Sequence, residues 1–191
     1  KMLYDQALLA LAYTNAYQAT KNNLFKKTAM EILAYVERDM KAPDGGFYSA
    51  EDADSEGEEG KFYLWSIDEI RNILGDEAGL VIKLFNVKED GNWIDQAHGH
   101  KAGNNILFLT QSLGEYALKH NFELEDFEKR ISAAINKLFD FRRNRIPPQK
   151  DDKILTDWNG LMISAFAKAA RVFGVKSYEE TAKSAASFIS D

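Results

Sequence analysis

The sequence predicts an all-α fold built from helical hairpins, and three observations carry that expectation. Apolar residues recur at helical spacing through most of its long segments. At both ends of the chain, a helix that is apolar nearly all round precedes one with a single apolar stripe. Strand-like alternation is confined to a small hairpin near residues 47–65. Helices in the inner layer of a double-layered toroid touch neighbours on every side, and outer helices keep one wet face. An ordinary bundle around one central helix fits the same periodicity, so both architectures stay open at this point.

Residues 2–19 form the first helix, in which Tyr4, Leu8, Leu11 and Ala12 share a face that Leu3, Ala7 and Ala10 widen, so burial all round is expected. The second, 23–41, carries the stripe Phe25, Ala29, Ile32, Leu33, Val36 and Met40, with Lys26, Lys27, Glu31, Glu37 and Arg38 facing away. Asn22 and Asn23 offer its start, and Pro43 and Gly45 its stop. Gly45–Tyr48 and Gly60–Trp65 read as hairpin arms, because their aromatic residues alternate across a pleat. Ser66 with Glu69 makes a capping box that launches a helix to Gly75, and a short helix over 76–85 follows. Residues 86–104, with Gly91, Gly99 and Gly103, read as an irregular loop. A short helix over 110–119 leads to a longer one, 124–143, with Phe127, Ile131, Ala134, Ile135 and Leu138 in a stripe. Past Pro147-Pro148, residues 156–173 leave little polar surface besides Lys168 and Arg171, which predicts deep burial. The last helix, 177–190, returns to one stripe of Tyr178, Ala182, Ala185, Ala186 and Ile189.

With 191 residues, 45% of them hydrophobic and 12% aromatic, the chain can bury a sizeable core as one domain, 1–191. A net charge of −6, with Phe141-Arg142-Arg143-Asn144-Arg145 as the only basic knot, argues against nucleic-acid partners. The absence of cysteine removes disulfides, thiolate metal sites and cysteine nucleophiles, and fits a cytoplasmic protein. No apolar run reaches the roughly 18 residues of a membrane span. No metal and no cofactor are expected. The chain starts at Lys1 in helical sequence without an initiator methionine, which predicts a piece of a longer protein.

The hairpin connection concentrates Glu51, Asp52, Asp54, Glu56, Glu58 and Glu59. Like charges held together repel, so such a segment is either solvated or uses its carboxylates on a cation, a basic partner or a hydroxyl-rich ligand. Asp52-Ala53-Asp54-Ser55-Glu56-Gly57 resembles the opening of a calcium loop, but the position that needs a bidentate carboxylate falls on Tyr63, and the match fails there. Glycoside chemistry needs two carboxylates roughly 5 to 9 Å apart, with aromatic platforms for sugar rings. The opposing reading is a cap whose aromatics pack inward and whose acids sit in water. Asp151, Asp152, Lys153, Asp157, Trp158 and Asn159 stand at the entry to the most apolar helix, where Thr156 or Asp157 can equally serve as a helix cap. His98 and His100 offer two imidazoles in a glycine-rich loop, and His120 sits where it can meet a helix dipole.

Three separated motifs now tip the balance between bundle and toroid. Lys1-Met2-Leu3-Tyr4-Asp5-Gln6-Ala7, the segment from Gly45 to Trp65, and Asp151-Asp152-Lys153-Ile154-Leu155-Thr156-Asp157-Trp158-Asn159-Gly160-Leu161-Met162 follow one another in order. Together they resemble the thioredoxin-domain-containing proteins related to spermatogenesis-associated protein 20 and the bacterial YyaL proteins. The resemblance implies an (α/α)6 toroid like that of six-hairpin glycosidases and N-acylglucosamine 2-epimerases, enzymes of which the epimerases use histidine as acid and base. The family's thioredoxin-like domain has no counterpart in this chain, so its redox chemistry is not expected here. Too few helices are present for a full toroid, which implies a partial ring whose open apolar sides favour self-association. Thr156-Asp157-Trp158-Asn159 departs from the family pattern, where a small residue is usual in place of Asp157.

The resulting expectation is a carbohydrate-active or carbohydrate-binding domain, hydrolase-like or epimerase-like. Asp52, Asp54, Glu56 and Asp152 are its candidate catalytic acids, and Tyr48, Tyr63, Trp65, Trp158 and Asn159 its candidate substrate-binding residues. The alternative is a non-catalytic scaffold that partners a thioredoxin-like domain.

Overall fold

A computed structural model describes residues 1–94 and 103–190, and these are 64% helical with small antiparallel strand pairs. In chain order the helices are α1 (Leu3–Thr20), α2 (Asn23–Tyr35), α3 (Ile67–Leu74), α4 (Ala78–Leu84), α5 (Leu113–Lys119), α6 (Leu124–Arg142), α7 (Thr156–Phe173) and α8 (Lys176–Ser190). Each strand is two residues long: β1 (Ala50–Glu51), β2 (Asp54–Ser55), β3 (Glu58–Glu59), β4 (Trp65–Ser66), β5 (Asn104–Asn105) and β6 (Lys150–Asp151). The chain divides into two compact units, one of residues 1–53 and 149–191, the other of residues 54–148.

In the first unit α1 packs on α2 and α7, and α7 packs on α8. Small residues let these helices approach closely: Ala7, Ala10, Ala165, Ala169, Ala182 and Ala185 are all buried. Larger side chains fill the space left over, with Phe47 stacked on Phe166 at 5.5 Å and Phe166 edge-on to Tyr178 at 5.7 Å. Asn22 caps α2 by accepting from the Leu24 amide at 3.0 Å. The helix then widens into one π-helical turn, Val36–Met40, before Lys41 turns extended ahead of Pro43. Gly45 has φ +114°, and a Cβ there would meet the Ser184 hydroxyl at 2.9 Å, so only glycine lets the chain pass α8.

Two expectations about burial need correction. In α1 the buried residues are Leu3, Ala7, Ala10 and Thr14, while Leu8 and Leu9 are 50% and 45% exposed. In α7 one face is buried, through Asn159, Met162, Ala165, Phe166 and Ala169, while Leu161 and Ile163 are half-buried and Ala167 is exposed. Both helices are apolar on more faces than their unit has neighbours to cover.

The second unit is held by Trp65, Ile70, Leu74, Val81, Phe127, Ile131 and Leu138. Ser66 and Glu69 form the expected capping box on α3, and Ser112 with Glu115 forms another on α5. The stripe of α6 buries Phe127, Ile131, Ala134 and Leu138, but Ile135 is 44% exposed. Asn105, fully buried, accepts from the Lys88 amide at 2.8 Å and donates to the Lys88 and Trp65 carbonyls at 3.1 and 3.3 Å. It thereby ties the β4–β5 pair to the start of the preceding loop. Gly91, at φ +81°, sits against the Asn104 backbone, where a Cβ would come within 2.5 Å of a carbonyl oxygen.

The expected hairpin is present inside 47–65 but is shorter than its aromatic arms implied. Asp54 pairs with Glu59 and Ser55 with Glu58 around Glu56 and Gly57, both at positive φ. Of the two arms, Phe47 bridges to Lys41, Lys61–Tyr63 is a 3-10 turn, and Trp65 pairs with Asn105. Backbone partners outside the 47–65 segment thus compete successfully with local pairing.

Candidate functional site

Three segments that are remote in sequence are stitched together in the first unit. Ala50 and Glu51 pair with Asp151 and Lys150, and Met2 bridges to Ala50. The ladder continues through Leu3 N–H to the Ser49 carbonyl at 2.8 Å, Glu51 N–H to Lys1 at 2.9 Å and Asp52 N–H to Gln149 at 2.8 Å. Residues of this platform line a cavity of about 700 Å³, among them Glu51, Asp52, Lys150, Asp151, Asp152 and Lys153. A backbone ladder of this kind fixes where such side chains start.

Charge within the cavity is mostly paired. The Lys153 ammonium reaches both Asp151 carboxylate oxygens at 3.0 Å, and its hydrogen bond is the main reason the Asp151 carboxyl lies below the ordinary aspartate range. The Lys150 ammonium donates to the main-chain carbonyl of Asp39. Glu51 is the one charged side chain among the described residues that is buried, at 6% exposure. Its Oε1 accepts from Lys1 Nζ at 2.8 Å and its Oε2 from the Tyr35 hydroxyl at 3.1 Å. Tyr35 closes α2 immediately before the π turn, and Lys1 Nζ also lies 4.5 Å from the Tyr35 ring centre.

A second cavity, of about 470 Å³, lies in the other unit and is lined by Ser55, Glu56, Glu58, Lys61, Glu69 and Arg145, among others. Lys61 bridges Glu58 at 2.8 Å and Glu56 at 3.6 Å, and the Glu58 hydrogen bond leads the causes that raise its pKa. Arg145 donates to the Leu64 and Phe62 carbonyls at 2.6 and 3.0 Å and to Glu69 at 2.9 Å. Its guanidinium also covers the Trp65 ring at 4.1 Å.

The residues expected to share one site therefore divide. Asp52 and Asp152 line the first cavity, whereas Asp54 and Glu56 belong to the second unit, where Glu56 lines the other cavity. Trp65 is only 2% exposed and packs in the core. Tyr63 lies edge-on to Phe62 at 4.9 Å, with Arg142 5.0 Å from its ring centre. Trp158 packs edge-on against Tyr4 at 4.8 Å, and Tyr48 is half-buried.

Asn159 has a different role from the one expected at a site mouth. It is fully buried, accepts from the Phe47 amide at 2.8 Å and donates to the Phe47 and Leu155 carbonyls at 3.0 Å. Asp157 accepts from the Trp158 amide at 2.9 Å in the first turn of α7, as a helix-start carboxylate does. His98 and His100 lie outside the described residues. Among the described residues, no group of three or more histidines and acids is placed to hold a metal, and no helix is long and apolar enough to cross a membrane.

Tyr35 carries no signal in the sequence, and Arg145 stands there only as part of the basic knot at 141–145. Arg145 had a signal, an arginine that follows a helix in an aromatic context. Tyr35 had none, because its partner Glu51 lies across a turn of undetermined path.

No family model matches the chain. It is homologous along its length to spermatogenesis-associated protein 20, being 35% identical to the Rattus norvegicus protein over 207 residues that cover 99% of the chain and 26% of that relative. The Homo sapiens counterpart is 35% identical over 192 residues, 91% of the chain and 24% of the relative. An uncharacterized protein of Caenorhabditis elegans is 32% identical over 207 residues, 99% of the chain and 28% of its own length. The chain thus spans about a quarter of the length of the curated relatives it matches.

Proposed function

We propose that this chain, a homologue of part of spermatogenesis-associated protein 20, is an arc of an (α/α) toroid that binds a hydroxyl-rich ligand of carbohydrate type at the platform cavity. The observation that carries the reading is the convergence of Glu51, Asp52, Asp151 and Asp152 on one cavity from two segments about a hundred residues apart. Neutral sugars are gripped mainly by carboxylates and other polar groups that accept and donate to hydroxyls. Asp52 and Asp152, which both line this cavity, are the two acids assigned to hydrolase-like chemistry in this proposal. Asp54 and Glu56, whose local partners lie in the other unit, are left out of it. A cytoplasmic setting completes the proposal, on the lack of cysteine.

A thermal-shift screen of glucose, N-acetylglucosamine, maltose and cellobiose tests the reading. At least one sugar is expected to raise the melting temperature, and the Asp52→Asn/Asp152→Asn variant to lose that rise. No shift with any of them favours the non-catalytic scaffold.

A further inference from the structure

We infer that the groove between α2 and α8 in the first unit binds an amphiphilic carboxylate, of the chemical class of fatty acids; this site is separate from the platform cavity and does not depend on the sugar reading. The groove has a volume of about 520 Å³, and Lys26, Lys27, Met30, Glu31, Ala34 and Tyr178 are among the residues that line it. That volume suits a small-molecule site. Its surface is mostly hydrocarbon, a character that Met30, Ala34, an aromatic ring and the apolar stems of two lysines account for. From Asn23 to Ala34 the groove follows α2 for about 16 Å at 1.5 Å per residue, room for an extended acyl chain.

Charge complementarity names the head group. Among the described residues neither Lys26 nor Lys27 has a carboxylate partner, and Lys26 instead lies over the Tyr17 and Phe173 rings at 5.9 and 5.8 Å. Two uncompensated ammoniums beside the N-terminus of α2 favour an anion, in a chain whose net charge is −6. Glu31, one turn after Lys27, repels a carboxylate, so the head group belongs at the lysine end and the tail runs towards Ala34. Tyr178 adds an independent sign of a ligand. It is 6% exposed and held edge-on to Phe166, and its hydroxyl has no hydrogen-bond partner among the described residues. Burial, and then the charge of Glu37, push its pKa up, so the phenol stays a donor. A side chain that is more than nine-tenths buried and carries an unused donor on a groove wall is completed by a bound oxygen.

An NMR titration of the isotope-labelled chain with sodium decanoate, and with decylamine as the charge-reversed control, tests the inference. Decanoate is expected to shift the amides of Lys27, Met30, Ala34 and Tyr178 saturably, and decylamine to leave them unmoved. Lys27→Gln is expected to raise the decanoate dissociation constant about threefold and Lys26→Gln/Lys27→Gln about tenfold. Tyr178→Phe removes the unused donor, and a rise of about threefold is expected. Lys27 is exposed, so its variant keeps the test decisive should either of the others fail to fold. No saturable shift at these amides overturns the inference. Equal affinity for decanoate in wild type and Lys27→Gln, or decylamine bound at the same amides as tightly as decanoate, overturns it too.

Discussion

At the scale of single residues, buried polar atoms divide into those that hold the fold and one that works against it. Thr14 is fully buried in α1, and its hydroxyl has no hydrogen-bond partner among the described residues. An unmade buried hydrogen bond costs about 1 to 3 kcal/mol. Thr14→Val keeps the volume and removes the unsatisfied group, so urea denaturation should show stabilisation of about 1 kcal/mol; a loss of stability would mean that the hydroxyl is satisfied in solution. Asp151 supplies a pH-dependent case. Lys153 holds its carboxyl below the ordinary range, so the pair's contribution is present above the unfolded-state pKa and lost as pH falls through the lower folded-state value. In an NMR titration Lys153→Ala should move the Asp151 carboxyl upward, and an unchanged titration would remove Lys153 as the cause.

At the scale of elements, the helices and the place of one short hairpin were readable, and the long-range strand pairs were not. The stripe of α6 and the Ser66–Glu69 box are local patterns, with every partner within four residues. Each strand is two residues long, and Ala50 finds Asp151 across a hundred positions, a pairing that no local periodicity encodes. The same limit hid Asn159. Its type and place at a helix start suggested a site mouth, yet its amide completes the backbone of Phe47 at 2.8 and 3.0 Å. Asn159→Ala leaves the buried Phe47 amide and carbonyl unpaired and should cost about 2 to 4 kcal/mol in chemical denaturation. A cost under about 0.5 kcal/mol would show that this clamp is dispensable.

At the scale of the whole molecule, helix content and homology follow from the sequence, while the distribution of the acids does not. The acidic run from Glu51 to Glu59 reads as one feature but is cut after Ala53, so that Asp52 and Asp54 belong to different units. Repulsion within the run is relieved by local ammonium partners, Lys1 at Glu51 and Lys61 at Glu58 and Glu56. The expectation of self-association is tested at Leu8 and Leu9, the exposed leucines of α1. Light scattering should then report a mass above that of one chain, which Leu8→Glu/Leu9→Glu returns to the single-chain value; wild type at single-chain mass at high concentration would count against it. Calorimetric titration of cellobiose into wild type and Asp52→Asn/Asp152→Asn asks whether the platform cavity binds a sugar through its acids. Saturable heat is expected for wild type, with at least a tenfold weaker affinity for the variant. Equal affinity in both proteins, or no heat from wild type with any sugar of the panel, would contradict it.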